Sequence, residues 1–132
     1  MPALRSFEFA IIRVVPRVER EEFVNAGVIV FCLAQKFLGS LVQVDEARLK
    51  ALWPELDVRM VREHLEAFPE VCAGSAGSGP IAAMPIRDRF HWLVSPRSTV
   101  IQISPVHSGL CGSPQAEVTR LFRELVCSNI ES

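Results

Sequence analysis

The sequence predicts an α+β domain in which a largely antiparallel sheet of about five strands carries helices on one of its faces. Three observations lead to this fold class. Several short segments alternate apolar and polar residues as strands do. Other segments repeat apolar residues at helical spacing behind capping residues, and the chain of 132 residues, 49% of them hydrophobic, is long enough to bury one core. We therefore expect a single domain over residues 1–132 that folds without a metal or a disulfide.

Three apolar segments near the start of the chain are expected to form an antiparallel meander. Residues 6–15 alternate in strand fashion and place apolar side chains on both faces, which is typical of a central strand. Residues 24–33 are rich in branched side chains and form the second strand. Residues 37–44 form the third strand, because the short connection before them fits a hairpin.

Capping residues and helical spacing predict three helices. Asp45 is placed to cap a short helix, and Asp57 a longer one that Pro69 is expected to kink or end. The small, glycine-rich segment 73–80 follows as a linker loop. Ser113, followed by proline, begins a last helix whose apolar stripe is expected to pack on the sheet. That stripe consists of Val118, Leu121, Phe122 and Leu125.

The segment 89–104 is expected to form a β-hairpin. Both of its arms alternate in strand fashion, and the sequence Ser-Pro-Arg-Ser at 95–98 suits a turn because proline presets φ at the second position. The stripe of the last helix is expected to cover the apolar face of the hairpin, and residues 105–112 are expected to connect the two irregularly. The register that keeps this face apolar pairs Phe90 with Ile103, His91 with Gln102, and Trp92 with Ile101.

Charge and composition argue against some classes of partner. Fourteen Lys and Arg residues against fifteen Asp and Glu residues give a net charge of -1, so the chain lacks the cationic excess that binds nucleic acid or an anionic membrane. Its apolar runs are too short to span a membrane and its start lacks the pattern of a signal peptide, which predicts a cytoplasmic protein. The four cysteines form no Cys-x-x-Cys pair and are expected to be buried as small apolar side chains.

Six polar residues are candidates for binding a ligand, and they are Arg13, His91, Arg97, Ser98, Thr99 and His107. At the predicted turn, the arginine fork stands beside two hydroxyls, a set that suits a phosphate or a carboxylate. On the first strand, Arg13 lies among apolar neighbours and needs an ion pair with Glu22 or Asp88, an exit at the strand end, or an anion at a cleft edge. For the turn arginine and for His91, a purely structural role stays open as the alternative.

The histidines do not assemble into a recognisable metal or nucleophile motif. His107 and Cys111 are separated by three residues, and with His91 they would supply three ligands. The spacing fits no standard zinc site, and a fourth ligand is missing. A nucleophile pair of His107 and Cys111 has no assignable oxyanion element. We therefore expect no metal and no cofactor, and the sequence leaves open whether the chain is an enzyme.

Several short motifs in these segments recur together in one known family. They are Phe90-His91-Trp92-Leu93 with Pro96-Arg97-Ser98-Thr99, Ser104-Pro105-Val106-His107 with Gly109-Leu110, and upstream Arg13, Phe23-Val24-Asn25 and Gly27-Val28. Through them the chain resembles, over nearly its whole length, a bacterial family catalogued as Domain of Unknown Function 3037. The resemblance implies no particular reaction. It does imply a partner, because members of that family are often encoded beside a HipA-like, kinase-fold protein, which suggests a toxin-antitoxin or defence setting.

Two classes of function follow as expectations. The first is a binding or regulatory module for another protein, with a HipA-like kinase as the expected partner. The second is an enzyme or ligand-binding domain that acts on a phosphorylated or otherwise anionic small molecule through Arg13, His91, Arg97 and His107. These four side chains would favour the second class if they converged on one pocket, and the first class if they were scattered. Nucleic-acid binding ranks last because of the charge balance.

Overall fold

An antiparallel sheet forms the centre of the computed structural model, which describes residues 3–74, 79–97 and 99–127. Within these ranges it has five strands, which are β1 (Arg5–Val14), β2 (Val24–Cys32), β3 (Phe37–Val42), β4 (Ile101–Ile103) and β5 (His107–Cys111). Strand β1 lies in the middle, with β2 and then β3 on one side and with β4 and β5 end to end on the other. The predicted meander and the α+β class are therefore confirmed.

Four α-helices lie within the described residues, and three of them begin where the capping residues predict. The helices are α1 (Glu46–Leu52), α2 (Val58–Ala73), α3 (Ile86–Leu93) and α4 (Pro114–Leu125). Asp45, Asp57 and Ser113 each accept a hydrogen bond from the backbone N–H three residues further on, at 3.1, 3.1 and 3.2 Å. These bonds satisfy donors that the first helical turn leaves free. None of the described helices has the length and apolar character needed to cross a bilayer.

Helix α2 runs on through Pro69, so this proline, which was expected to kink or end the helix, does not end it. After the helix, Gly74 adopts a left-handed conformation with φ of 66°, and its N–H donates to the carbonyl of Val71 at 3.1 Å. A proline inside a helix removes one N–H donor, but Phe68 and Val71 on either side of it are both buried in the same core cluster. Their packing holds the helix together across the missing bond. Residues 75–78 of the predicted loop lie outside the described residues.

The helices lie on both faces of the sheet, which corrects the expectation that one face carries them all. Ile29 and Phe31 of β2 pack into a core cluster that also holds buried residues of α1, α2 and α3. The alternating side chains of Val28, Val30 and Cys32 belong to a second cluster, which α4 closes. A central strand that is apolar on both faces needs cover on both.

Helix α4 does not cover the residues predicted for it. Its stripe packs in the second cluster with Phe7 and Cys111, whereas Phe90 and Ile101 belong to the first cluster. The position of β5 at the edge of the sheet explains why α4 lies on a different face from the one predicted. Strand β5 ends with the side chain of Cys111 in the second cluster, and α4 begins three residues later on that same side.

The first arm of the predicted hairpin is helix α3. The strand-like alternation of Phe90 and Trp92 competes with the helical spacing of Ile86, Phe90 and Leu93 in the same residues. The helix prevails because it buries both Phe90 and Leu93 to 1% exposure, whereas Trp92 stays 41% exposed. It also stacks the ring of Phe90 on that of Phe31, with 4.7 Å between the centroids.

The second arm of the predicted hairpin is β4, which pairs with the central strand. The partners are Ile101 with Val14, Gln102 with Arg13, and Ile103 with Ile12. The predicted pairs with Trp92, His91 and Phe90 are therefore wrong, because those residues are helical and the edge of β1 offers the backbone partners that β4 needs.

The segment 105–112, predicted as an irregular connection, contains strand β5. Ser104 links β5 to β4 along the same edge, since its N–H donates to the carbonyl of Ile11 at 2.9 Å and its Oγ accepts from the N–H of Ile11 at 2.8 Å. The alternation of apolar and polar residues hardly indicates β5, because its apolar residue Leu110 is 64% exposed. A Cβ at Gly109 would lie 2.8 Å from a ring carbon of Phe7, so the strand needs glycine there to approach β1.

Candidate functional site

The candidate residues do not converge on one site. The structure places Arg97 with Thr99 in one groove, His91 in a second, Arg13 in a third pocket, and His107 on β5 outside all three. Ser98 lies outside the described residues. Each place therefore has to be considered on its own contacts.

The first groove is an apolar cleft of about 400 Å³ between α2, the end of α3 and β4. The buried residues Phe68, Leu93 and Ile101 line it, and the exposed indole of Trp92 adds a further wall. Cavities of this size with mainly apolar walls hold small ligands or a side chain of a partner. The groove could not be expected from the hairpin interpretation, because it forms only when α3 is a helix.

Arg97 closes the C-terminal end of α3 inside this groove. Its Nη1 donates to the carbonyl oxygens of Leu93 at 2.7 Å and Ser95 at 3.3 Å, and its Nη2 donates to that of Trp92 at 3.4 Å. The guanidinium carbon lies 5.4 Å from the ring centre of Phe68 and 5.3 Å from that of Trp92. Burial lowers the pKa of Arg97, yet arginine remains cationic in proteins. These contacts support the structural alternative, since a cation at a helix C-terminus binds the last free carbonyls.

His64 on α2 also lines this groove, and the sequence interpretation missed it. Its Nδ1 lies 2.8 Å from the carbonyl oxygen of Met60. Only a protonated nitrogen can donate to a carbonyl, so we assign a proton to Nδ1. Glu63 beside it pairs with Arg59 at 3.4 Å, and the hydroxyl of Thr99 donates to a backbone carbonyl at 3.3 Å. The groove thus offers few free donors to an anion.

His91 lies on α3 in a second groove, of about 380 Å³. Arg87 lines the same groove together with Glu8 and Ser108 from the sheet. The imidazole of His91 makes no hydrogen bond with a residue in the described ranges, and it is on a different element from its predicted neighbour Gln102. A general base needs an oriented partner, and the structure gives His91 none among the described side chains.

His107 and Cys111 stand at opposite ends of β5. A strand rises about 3.3 Å per residue, so four residues separate their backbones by about 13 Å, which is too far for a nucleophile pair. Burial and the neighbouring Cys32 raise the pKa of the Cys111 thiol. The ring of His107 packs on that of Phe9 at 5.2 Å between centroids. In the part of the chain that the structure describes, no three His, Cys, Asp or Glu side chains form a group that could hold a metal.

All four cysteines are free. Cys32, Cys72 and Cys111 are buried, as the sequence predicted, and Cys127 is half-buried. Burial raises the pKa of the Cys72 thiol to about 12, against a smaller opposing effect of Arg89. The buried thiols therefore behave as small apolar side chains.

Arg13 lies near the end of β1, in a pocket of about 330 Å³. Its guanidinium carbon is 4.3 Å from the ring centre of Phe23, a distance at which a cation and a ring attract each other. Its Nε is buried and has no hydrogen-bond partner among the described residues. The two predicted ion pairs are not formed there, since Glu22 bonds to Arg20 at 2.9 Å and Asp88 lies on α3. The guanidinium thus reaches the surface at the strand end, and no carboxylate in the described ranges pairs with it.

Apolar and polar side chains surround this guanidinium. The pocket is lined by Val15 together with Arg13, Val18, Glu21, Phe23 and Gln102. We call the last five residues the Arg13 surface. Asn25 lies opposite Arg13 on β2, and its Nδ2 donates to the carbonyl of Leu125 at 3.0 Å, so the end of α4 borders this surface. Sequence reasoning named Arg13 as a binding candidate, but it named neither Phe23 nor Val18 as one. The available signal was an aromatic residue directly after the charged run 17–22.

Comparison with known proteins gives one match. A family model described as "Protein of unknown function (DUF3037)" matches residues 9–126. No curated protein and no solved structure matches the chain. Arg13, Phe23 and Asn25, which are among the residues that carry the resemblance, lie side by side in the structure.

Proposed function

The chain belongs to the family described as Protein of unknown function (DUF3037), and from that premise we propose that it is a binding or regulatory module for another protein. The family description names no reaction. The separate positions of Arg13, His91, Arg97 and His107 support a module over an enzyme. A catalytic or small-molecule site gathers its polar groups in one pocket.

The Arg13 surface is the observation that carries this proposal. Phe23 is 45% exposed and Val18 is 39% exposed, and both line the pocket of a guanidinium that has no carboxylate partner among the described residues. Aromatic residues and arginine are enriched at protein interfaces. A partner that covers this surface would remove the apolar area from water and supply the missing charge.

The partner that we propose is a HipA-like, kinase-fold protein in the bacterial cytoplasm. The support for this identity is the resemblance of the chain to a family whose members are often encoded beside such a protein. The near-neutral net charge of -1 agrees with a protein partner and does not favour nucleic acid.

Co-expression with such a protein tests the proposed function. The tagged chain and a HipA-like, kinase-fold protein of the same bacterium are purified together and analysed by size-exclusion chromatography with light scattering. The proposal predicts one species with the combined mass, and calorimetry should give a dissociation constant of about 1 μM or tighter. Two folded proteins that elute separately, with no heat of binding, would contradict it.

A pair of matched variants makes this test specific to the Arg13 surface. Phe23→Ala should weaken the complex because it removes an exposed ring from the proposed interface. Leu33→Ala is the control, since Leu33 is 44% exposed against 45% for Phe23 and lies outside this surface. Equal binding by both variants would show that the interface lies elsewhere on the protein.

The groove between α2 and α3 favours a second candidate, a ligand-binding domain for an anionic small molecule. Its volume of about 400 Å³ and its apolar walls suit such a ligand, and Arg97 supplies a positive charge. We place this candidate second because three backbone carbonyls already engage that arginine. Titration with mononucleotides and sugar phosphates would test it, with a saturable shift of the Trp92 indole N–H resonance as the supporting result.

A further inference from the structure

We infer that the Arg13 surface receives an aspartate or glutamate side chain flanked by apolar residues, presented by the partner protein. This inference rests on the proposed function and adds the chemistry of the segment that binds. Three features of the surface carry it: a guanidinium without an ionic partner among the described residues, an exposed aromatic ring, and a local charge balance that suits a single negative charge.

The Nε of Arg13 lacks an acceptor among the described residues. This Nε is buried, and within the described ranges the Arg13 side chain makes neither a hydrogen bond nor an ion pair, while its guanidinium lies over the ring of Phe23. A charged group that is partly removed from water is stabilised when an opposite charge approaches it. A carboxylate suits the terminal nitrogens because its two oxygens match the two parallel N–H donors of an arginine fork.

The ring of Phe23 holds this guanidinium in place and leaves a hydrophobic border for a ligand. The cation lies 4.3 Å from the ring centre, so Arg13 is positioned before a partner arrives and loses little conformational freedom on binding. The ring is nevertheless 45% exposed, and Val18 on the same pocket is 39% exposed. Apolar residues on either side of the incoming carboxylate would cover this remaining surface.

The charges around the pocket favour a carboxylate over a phosphate. Glu21 lines the same pocket, and its carboxylate would repel a doubly charged phosphate. The remaining charges of the preceding segment pair with each other, Arg17 with Glu19 at 2.8 Å and Arg20 with Glu22 at 2.9 Å. The pocket therefore presents one available cation beside one acid, a balance that suits a single negative charge more than a double one.

Titration with short peptides tests this chemistry directly. The probes are the capped pentapeptide Ala-Leu-Asp-Leu-Ala, its counterpart with asparagine in the central position, and inorganic phosphate. Binding is followed in ¹⁵N-labelled protein by the side-chain Nε–Hε resonance of Arg13 and the backbone amides of Phe23 and Gln102. We expect a saturable shift with the aspartate peptide and at least about tenfold weaker binding of the asparagine peptide, because the amide lacks the charge and the second acceptor oxygen.

Variants of the surface separate binding from folding. Arg13→Lys should weaken the aspartate peptide about tenfold or more, since an ammonium cannot offer the two parallel donors. Phe23→Ala, which changes an exposed ring, should also weaken it and serves as a second variant if Arg13→Lys disturbs the central strand. Arg87→Lys on α3 is the matched control and should bind as the wild type does. Equal binding of both peptides, tighter binding of phosphate, or no saturable shift would each overturn the inference.

The same variants distinguish this inference from the proposed function. A complex with the HipA-like protein that tolerates both Arg13→Lys and Phe23→Ala would overturn the inference. The proposal that the chain is a binding module would still stand. Specific binding of the aspartate peptide without any complex with that protein would support the carboxylate site and overturn the proposed partner.

Discussion

Replacing Ser104 by alanine should destabilise the protein through a single lost acceptor. The Oγ of Ser104 accepts from the N–H of Ile11 at 2.8 Å and donates to the carbonyl of Pro105 at 2.9 Å, in a residue that is 4% exposed. Ser104→Ala keeps the backbone bond from its own N–H to Ile11 and leaves no large cavity, but the N–H of Ile11 loses its partner. An unsatisfied buried donor costs about 1–3 kcal/mol, and we expect a loss of free energy of unfolding in that range.

Urea unfolding followed by circular dichroism measures this loss. Ser108→Ala on β5 is the control, because Ser108 is exposed and a surface substitution usually changes stability by less than about 0.5 kcal/mol. The amide of Ile11 should also exchange with deuterium faster in Ser104→Ala than in the wild type. A loss below about 0.5 kcal/mol for Ser104→Ala, with unchanged exchange at Ile11, would refute the view that this hydroxyl joins β4 and β5 to the central strand.

Three further predictions concern the two cores and the first groove. Leu121→Ala, at a residue 5% exposed, should lower the free energy of unfolding by about 2–5 kcal/mol, and a double-mutant cycle should show coupling with Val30, which shares its cluster. Burial raises the pKa of Cys72 from 9.0 to about 12, so the folded state disfavours the thiolate. The free energy of unfolding, measured by urea titration relative to Cys72→Ala, should therefore be constant below about pH 9 and fall from there towards pH 12. Arg97→Ala should lower the melting temperature through the loss of its carbonyl contacts, a loss of about 1 kcal/mol, and unchanged melting would remove Arg97 from the end of α3.

Local chemistry explains which helices the sequence could predict. Asp45, Asp57 and Ser113 cap helices through bonds to residues only three positions away, so their signal needs no tertiary information. The segment around Phe90 fits both a strand and a helix, and only the ring of Phe31 on a distant strand decides between them. Strand β5 is likewise set by its pairing with β1 and not by its own weak alternation.

The candidate site shows the same division between local and tertiary information. Arg13 was conspicuous in the sequence because it is a cation among apolar neighbours. The structure places it at the strand end, which was one of the alternatives that the sequence left open. Its contact with Phe23 depends on the pairing of β1 with β2, which includes a register shift between Ile12 and Arg13. The role of Arg97 could not be predicted, because its carbonyl partners exist only when the preceding segment is helical.

Hydrogen–deuterium exchange of the chain, alone and mixed with the proposed HipA-like partner, shows which surface of the chain a partner covers. If a partner covers the Arg13 surface, peptides spanning residues 15–25 should become protected in the complex. Peptides spanning residues 101–103 should also become protected, because Gln102 belongs to this surface. Residues 60–68 and 91–97, which line the first groove, should exchange as they do in the free protein. Protection confined to that groove, or no protection anywhere along residues 15–25, would contradict the claim that a partner covers the Arg13 surface.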